Sequence, residues 1–164
     1  MNSTEVANGW ADAFSQRFAE IALQRMQGLP VMNPALQVQA LGFAMEHDQD
    51  AAPSGVLGIL LTPWFMNLIW LPMNRAITLA PGASGSREFH GQALDFIGAD
   101  DERLGRYESC SLFSPMFEFT DQATACATAE QVLILLRQPP APAEVQRPAM
   151  NRRELLFGRR GGQA

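Results

Sequence analysis

Apolar residues at Ala7, Trp10, Ala11, Phe14, Phe18, Ile21 and Ala22 recur every three or four positions, the period of one helix face. The spacing predicts a long amphipathic helix over about Thr4–Gly28, with Trp10 and Phe14 packed into the core. Asn2 and Glu5 are placed to cap its start, and Gly28 followed by Pro30 stops it. Leu36–Met45 alternates instead, so Leu41, Phe43 and Met45 share one strand face. The polar stretch that follows, ending in Pro53, Ser54 and Gly55, reads as a loop or hairpin turn.

The most apolar run is "GVLGILLTPWFMNLIWLP". Val56–Leu71 is 16 residues with Pro63 in its middle, against about 20 for a membrane-crossing helix. Valine, isoleucine and tryptophan suit strands. The run is therefore read as two buried strands, Val56–Leu61 and Phe65–Leu71, joined at Thr62-Pro63-Trp64, and no membrane insertion is expected. "PMNRAITLAPGASGSRE" is loop-like. "EFHGQALDFIGAD" and "RLGRYESCSLF" form a further strand pair turned at "ADDERLG". Pro115 breaks the pattern. A second helix then runs to Pro139–Pro140, with Thr120 as N-cap and Cys126, Ala129, Leu133 and Leu136 along one face.

The element order predicts an α+β fold: an antiparallel sheet of about five strands, with an N-terminal and a C-terminal helix packed on one face. Residues 1–138 form this single domain. Residues 139–164 are a proline-rich linker and a flexible C-terminal arm that is both basic and apolar. "PPAPAEVQRP" holds four prolines in ten residues and should be extended. In "RRELLFGRR", Arg152, Arg153, Arg159 and Arg160 bracket Leu155, Leu156, Phe157 and Gly158.

Charge sharpens this division. The net charge is −5, yet from Val145 onward five arginines meet one acid, giving +4. Met1–Glu144 holds seven arginines and sixteen acids, or −9. A nucleic-acid binder carries its basic face on the fold itself, so no nucleic-acid partner is expected. The start, "MNSTEVANGWADAF", lacks the basic and apolar regions of a secretory signal. Burying Leu155, Leu156 and Phe157 contributes roughly 1.5–3 kcal/mol each, against about 1–2 kcal/mol per ordered backbone residue. The arm therefore needs further contacts, from its own acidic body or from a second protein.

Candidate chemistry is sparse. Cys110 in "ESCSLFSP" is the best nucleophile, but the spacing ties neither His47 nor His90 to it. Cys110, Cys126 and the two histidines lack zinc-ligand spacing, so no metal or cofactor is expected. "PGASGSRE" lacks the lysine of a phosphate-binding loop. Ser109, Ser111 and Ser114 suit a strand end that another backbone approaches, and equally suit an ordinary strand end. Trp64 is either a core anchor or an exposed docking aromatic.

Several stretches together resemble the HybE-type, also called HupJ-type, assembly chaperones of nickel-iron hydrogenases. They are "GILLTPWFMNLIWLP" (Gly58–Pro72), "YESCSLFSP" (Tyr107–Pro115), "ATACATAEQVLILL" (Ala123–Leu136) and "RRELLFGRR" (Arg152–Arg160). The resemblance covers nearly the whole chain. It implies a cytoplasmic, non-catalytic protein that holds hydrogenase large or small subunit precursors until cofactor insertion and pairing are complete, before twin-arginine export. Other maturation proteins are further implied partners. Some relatives carry a rubredoxin-like domain with paired C-x2-C motifs; this sequence has no such pair, so neither bound iron nor electron transfer is expected. Candidate partner-binding residues are the arm (Arg152, Arg153, Leu155, Leu156, Phe157, Gly158, Arg159, Arg160), the turn (Thr62, Pro63, Trp64), and Cys110, Ser111, Ser114 and Pro115. Two alternatives stay open: a small cysteine-dependent enzyme using Cys110, and a structural oligomer subunit.

Overall fold

The computed structural model describes residues 2–46 and 54–138. His47 and the arm lie outside the described residues. Helix α1 (Ser3–Ile21) opens with the reciprocal cap that the sequence offers: the Asn2 side chain accepts from the Glu5 N–H while the Glu5 carboxylate accepts from the Asn2 N–H. A π-helical turn, Ala22–Met26, ends it. The strands are β1 (Gln39–Glu46), β2 (Gly55–Leu61), β3 (Met66–Pro72), β4 (Ser84–Phe89), β5 (Gln92–Asp101) and β6 (Gly105–Phe113). Helix α2 (Gln122–Arg137) follows. Its N-cap is Asp121 rather than Thr120, because the Asp121 side chain is the one that accepts from the Thr124 N–H.

All strand pairs are antiparallel, in the order β1-β2-β3-β6-β5-β4. The architecture is α+β as expected, with six strands in place of about five. The additional strand is β4, inside the stretch read as a loop. It pairs with β5 through a tight turn at His90 and Gly91, both at positive φ.

The expectation that both helices share one sheet face is corrected: they take opposite faces. Leu57, Ile59, Leu61, Leu68 and Trp70 pack with Ala125, Ala129, Val132, Leu133 and Leu136 of α2. Val56, Leu60, Ile69 and Leu71 pack with Ala7, Phe14 and Phe18 of α1. Side chains alternate across a strand, so an unbroken apolar run is what a strand covered on both sides requires. The alternation slips once. Ala40 and Phe43 lie toward α1 and Leu41 toward α2, so Leu41 and Phe43 do not share a face. A register shift between Leu41 and Ala44 causes this, at Gly42 with φ +64°.

The sheet curls around α2. Glu46, on edge strand β1, lies 3.1 Å from His90 in the β4–β5 turn. Arg137 at the end of α2 donates to Glu46 at 2.8 Å and to the carbonyls of Gly42 and Leu57. Gln92 donates to the Leu135 carbonyl at 2.9 Å. Phe89 sets its ring edge-on to the buried Trp70, with centroids 4.9 Å apart.

Candidate functional site

Three connecting segments meet at one end of the sheet. The strand register brings them there: Gln39 pairs with Leu61, Leu61 with Met66 and Met66 with Phe113. The segments are therefore the chain entering β1, the β2–β3 turn, and the chain leaving β6. Asn33, almost fully buried, ties them together. Its N–H donates to the Pro63 carbonyl at 2.9 Å. Its side-chain amide donates to the carbonyls of Met116 and Phe119 at 3.0 and 2.9 Å. Its side-chain oxygen accepts from the Ala35 N–H. One buried amide thus satisfies backbone groups that carry no ladder partner.

The β2–β3 turn is held by Thr62. Its hydroxyl oxygen accepts from the N–H groups of Trp64 and Phe65 at 3.1 and 2.9 Å, and its O–H donates to the Phe65 carbonyl. Thr62 and Pro63 are buried, and Trp64 is half-buried. Trp64 meets both Phe18 of α1 and Phe65, with centroids 6.5 and 5.5 Å apart. It is both a packing aromatic and a surface one.

The segments joined by this framework expose three large apolar side chains. Leu29 and Val31 are each 44 % exposed and Phe117 is 53 % exposed. Trp64, Phe65 and Phe113 on the same segments are half-buried. Isolated exposed apolar residues are ordinary; these are singled out because the segments that carry them are joined by one buried amide. The same segments carry two exposed acids, Glu118 and Asp121. The Thr124 backbone and hydroxyl, both bonded to the Asp121 carboxylate, hold it below its usual range.

The structure distributes the sequence candidates unevenly. Ser114 and Pro115, joined by a cis peptide bond, lie exposed beside the apolar end. Cys110 is 5 % exposed and belongs to the core under α2, whereas half-buried Ser111 lies opposite Asn67 on β3. Cys126 donates its thiol to the Gln39 side-chain oxygen at 3.2 Å. Burial, then the nearby Glu130 carboxylate, push that thiol up, away from the reactive thiolate. His90 faces Glu46. Among the described residues, no group of three histidines, cysteines or acids is placed to hold a metal ion. No described helix is long and apolar enough to cross a membrane.

Sequence reasoning missed Leu29, Val31, Asn33 and Phe117. The available signal was "LPVMNP", where apolar residues sit between prolines just after a helix stop.

The family described as NiFe-hydrogenase assembly chaperone HybE matches residues 9–158. Protein HoxT of Cupriavidus necator is 47 % identical over 154 residues, covering 88 % of this chain and 86 % of that protein. The hydrogenase expression/formation protein HupJ of Bradyrhizobium diazoefficiens is 38 % identical over 148 residues, covering 90 % and 81 %. The hydrogenase-2 operon protein HybE of Escherichia coli K12 is 27 % identical over 151 residues, covering 89 % and 87 %. No solved structure matches. With a family match over most of its length and relatives well above 30 % identity, the chain belongs to the HybE family of nickel-iron hydrogenase assembly chaperones.

Proposed function

We propose that this chain is a non-catalytic cytoplasmic chaperone that binds hydrogenase subunit precursors through the apolar end of its sheet. Binding holds a precursor until cofactor insertion and subunit pairing are complete, before twin-arginine export. The observation that carries this reading is that the segments tied together by Asn33 expose Leu29, Val31 and Phe117 and leave Trp64 half-buried. An immature subunit exposes apolar surface that its partner will later cover. A rigid apolar platform is a complementary surface for it.

Within this reading the candidate residues divide by role. Trp64, Ser114 and Pro115 contact the client. Thr62, Pro63, Cys110 and Ser111 shape the platform from below. The arm adds a second hold: Leu155, Leu156 and Phe157 anchor on the client, Gly158 leaves the backbone close to it, and Arg152, Arg153, Arg159 and Arg160 pair with its acids.

Affinity capture from hydrogenase-producing cells tests this. An N-terminally tagged full chain should recover hydrogenase precursor, and a copy truncated after Val145 should recover less while melting at nearly the same temperature. Failure of the full chain to recover any hydrogenase subunit, in cells containing the precursors, would contradict the proposal.

A further inference from the structure

The sheet has two edges, β1 and β4, and they differ. Side chains of α2 attend the β1 edge. Gln122 accepts from the Gln37 N–H and donates to the Gln37 carbonyl just before the strand, and Arg137 donates to the Gly42 carbonyl within it. The β4 edge has no such cover among the described residues: β4 bonds to β5 on one side only.

The β4–β5 turn fixes which backbone groups of β4 point off the sheet. His90 and Gly91 have φ of 51° and 81°, as in the two-residue turn that suits a hairpin. Such a turn is closed by Phe89 and Gln92 as a hydrogen-bonded pair. Bonded and non-bonded pairs alternate along an antiparallel ladder, so Arg87 with Leu94 and Gly85 with Phe96 carry the remaining bonds to β5. Ser84, Ser86 and Glu88 therefore aim their N–H and C=O groups outward. These are also the three exposed residues of the strand. The chain entering β4 does not lie along this edge, because Pro81 bridges to Gly98 of β5. A row of free backbone donors and acceptors is a template for another strand.

We infer that two copies of this chain pair antiparallel through β4, with Ser86 opposite Ser86 and the two sheets joined into one. The sequence of the edge is self-complementary in this register. Ser86 exchanges both its bonds with its own copy, and Ser84 pairs with Glu88 of the second copy on either side, so all the outward groups of the three residues are satisfied. Between them Gly85 faces Arg87 of the second copy, whose guanidinium is already drawn inward to Glu108. No like charges stand opposite each other, as a stable cross-strand pairing requires. Centring the pair on Arg87 would set two arginines face to face. Centring it on Gly85 would leave Glu88 opposite Gly82, outside the strand. The contact is isologous and closes at two copies.

The test uses the full chain without any hydrogenase subunit. In sedimentation equilibrium at rising concentration, the native chain should approach the mass of two chains, and Ser86→Pro should stay at the mass of one. Proline at this position costs no bond to β5, since the Ser86 N–H points off the sheet, and an unchanged melting temperature at high dilution checks that the fold is kept. Under mild oxidation Ser86→Cys should cross-link into a dimer, because the two Cα atoms of a bonded pair lie about 5.5 Å apart. Ser84→Cys should not, because four residues of strand hold its two copies about 14 Å apart. The cross-link decides the matter even if Ser86→Pro unfolds. A native chain of single mass at every concentration would overturn the inference. A dimer that persists in Ser86→Pro, or that fails to cross-link through Ser86→Cys, would also overturn it and place the interface elsewhere. Loss of precursor capture by Ser86→Pro in a chain that never dimerises would overturn it too, giving the edge to a strand of the client.

Discussion

Asn33 donates its backbone N–H to the Pro63 carbonyl at 2.9 Å, so a loop residue before β1 fixes the turn between β2 and β3. The same residue also holds the Met116 and Phe119 carbonyls. Asn33→Ala leaves both without a donor in a buried site, a loss of about 2 kcal/mol. Urea unfolding of the variant should show a lowered midpoint with an unchanged slope. An unchanged midpoint would mean that Asn33 does not tie the end together.

Glu108 is fully buried and is held by a two-pronged pair from Arg87 at 2.8 and 2.7 Å, with the Leu79 N–H as a third donor. Removing the guanidinium by Arg87→Met leaves a buried carboxylate short of its cation, at about 3–5 kcal/mol. Adding Glu108→Leu should restore much of that loss, since the pair is coupled. Denaturation of both single variants and the double variant measures the coupling; simple additivity would count against it.

Tyr107 is the chain's single tyrosine. Burial against Phe14, with Asp101 adding repulsion, pushes its hydroxyl up to about 12 from 10. A folded value above the unfolded one stabilises the native state below pH 10, and that contribution is lost as pH rises from there toward 12. Tyrosinate absorbance should therefore appear near pH 12 in the native protein and near 10 in denaturant. A native midpoint near 10 would show the ring to be accessible.

Arg17 joins α1 to the β5–β6 turn by donating to Asp101 at 3.0 Å and to Glu20 at 3.0 Å. Burial alone would raise the Asp101 carboxyl, but the Arg103 N–H, the Arg17 guanidinium and the Leu104 N–H together hold it below the usual range. Hydrogen bonding to Arg17, aided by Arg103, does the same for Glu20. Depressed carboxyl values stabilise the fold above the ordinary carboxylate range, and that stability is lost as pH falls through the depressed values. Melting temperature should drop with acidification below about pH 4, and Arg17→Met should flatten that slope. An equally steep slope in the variant would place the acid sensitivity elsewhere.

Much of this architecture is readable from residues, and the exceptions have physical causes. The capped first helix is legible because Asn2, Glu5 and a three-four apolar period all agree. Strand β4 is not: Ser84, Ser86 and Glu88 are exposed on an edge strand, and Ser84-Gly85-Ser86 imitates a loop. Opposite helix faces were implied by consecutive apolar positions in β2 and β3, because one covered face would leave every second residue in water. The β1 face was misassigned because a bulge at Gly42 reverses the alternation, and periodicity assumes that it continues. In the candidate site, "TPW" was visible as a turn. Leu29, Val31 and Phe117 were not, since single apolar residues in separate loops acquire meaning only when hydrogen bonds such as those of Asn33 join the loops.

Capture of a client at this end of the sheet requires its exposed apolar side chains. Val31 and Phe117 are exposed, so Val31→Glu/Phe117→Glu introduces charge without disturbing the core. Precursor recovery by the full-length double variant should be measured beside the native chain, with melting temperature as the control. A several-fold loss of recovery at an unchanged melting temperature is the predicted result. Undiminished recovery by a stably folded variant would contradict the account.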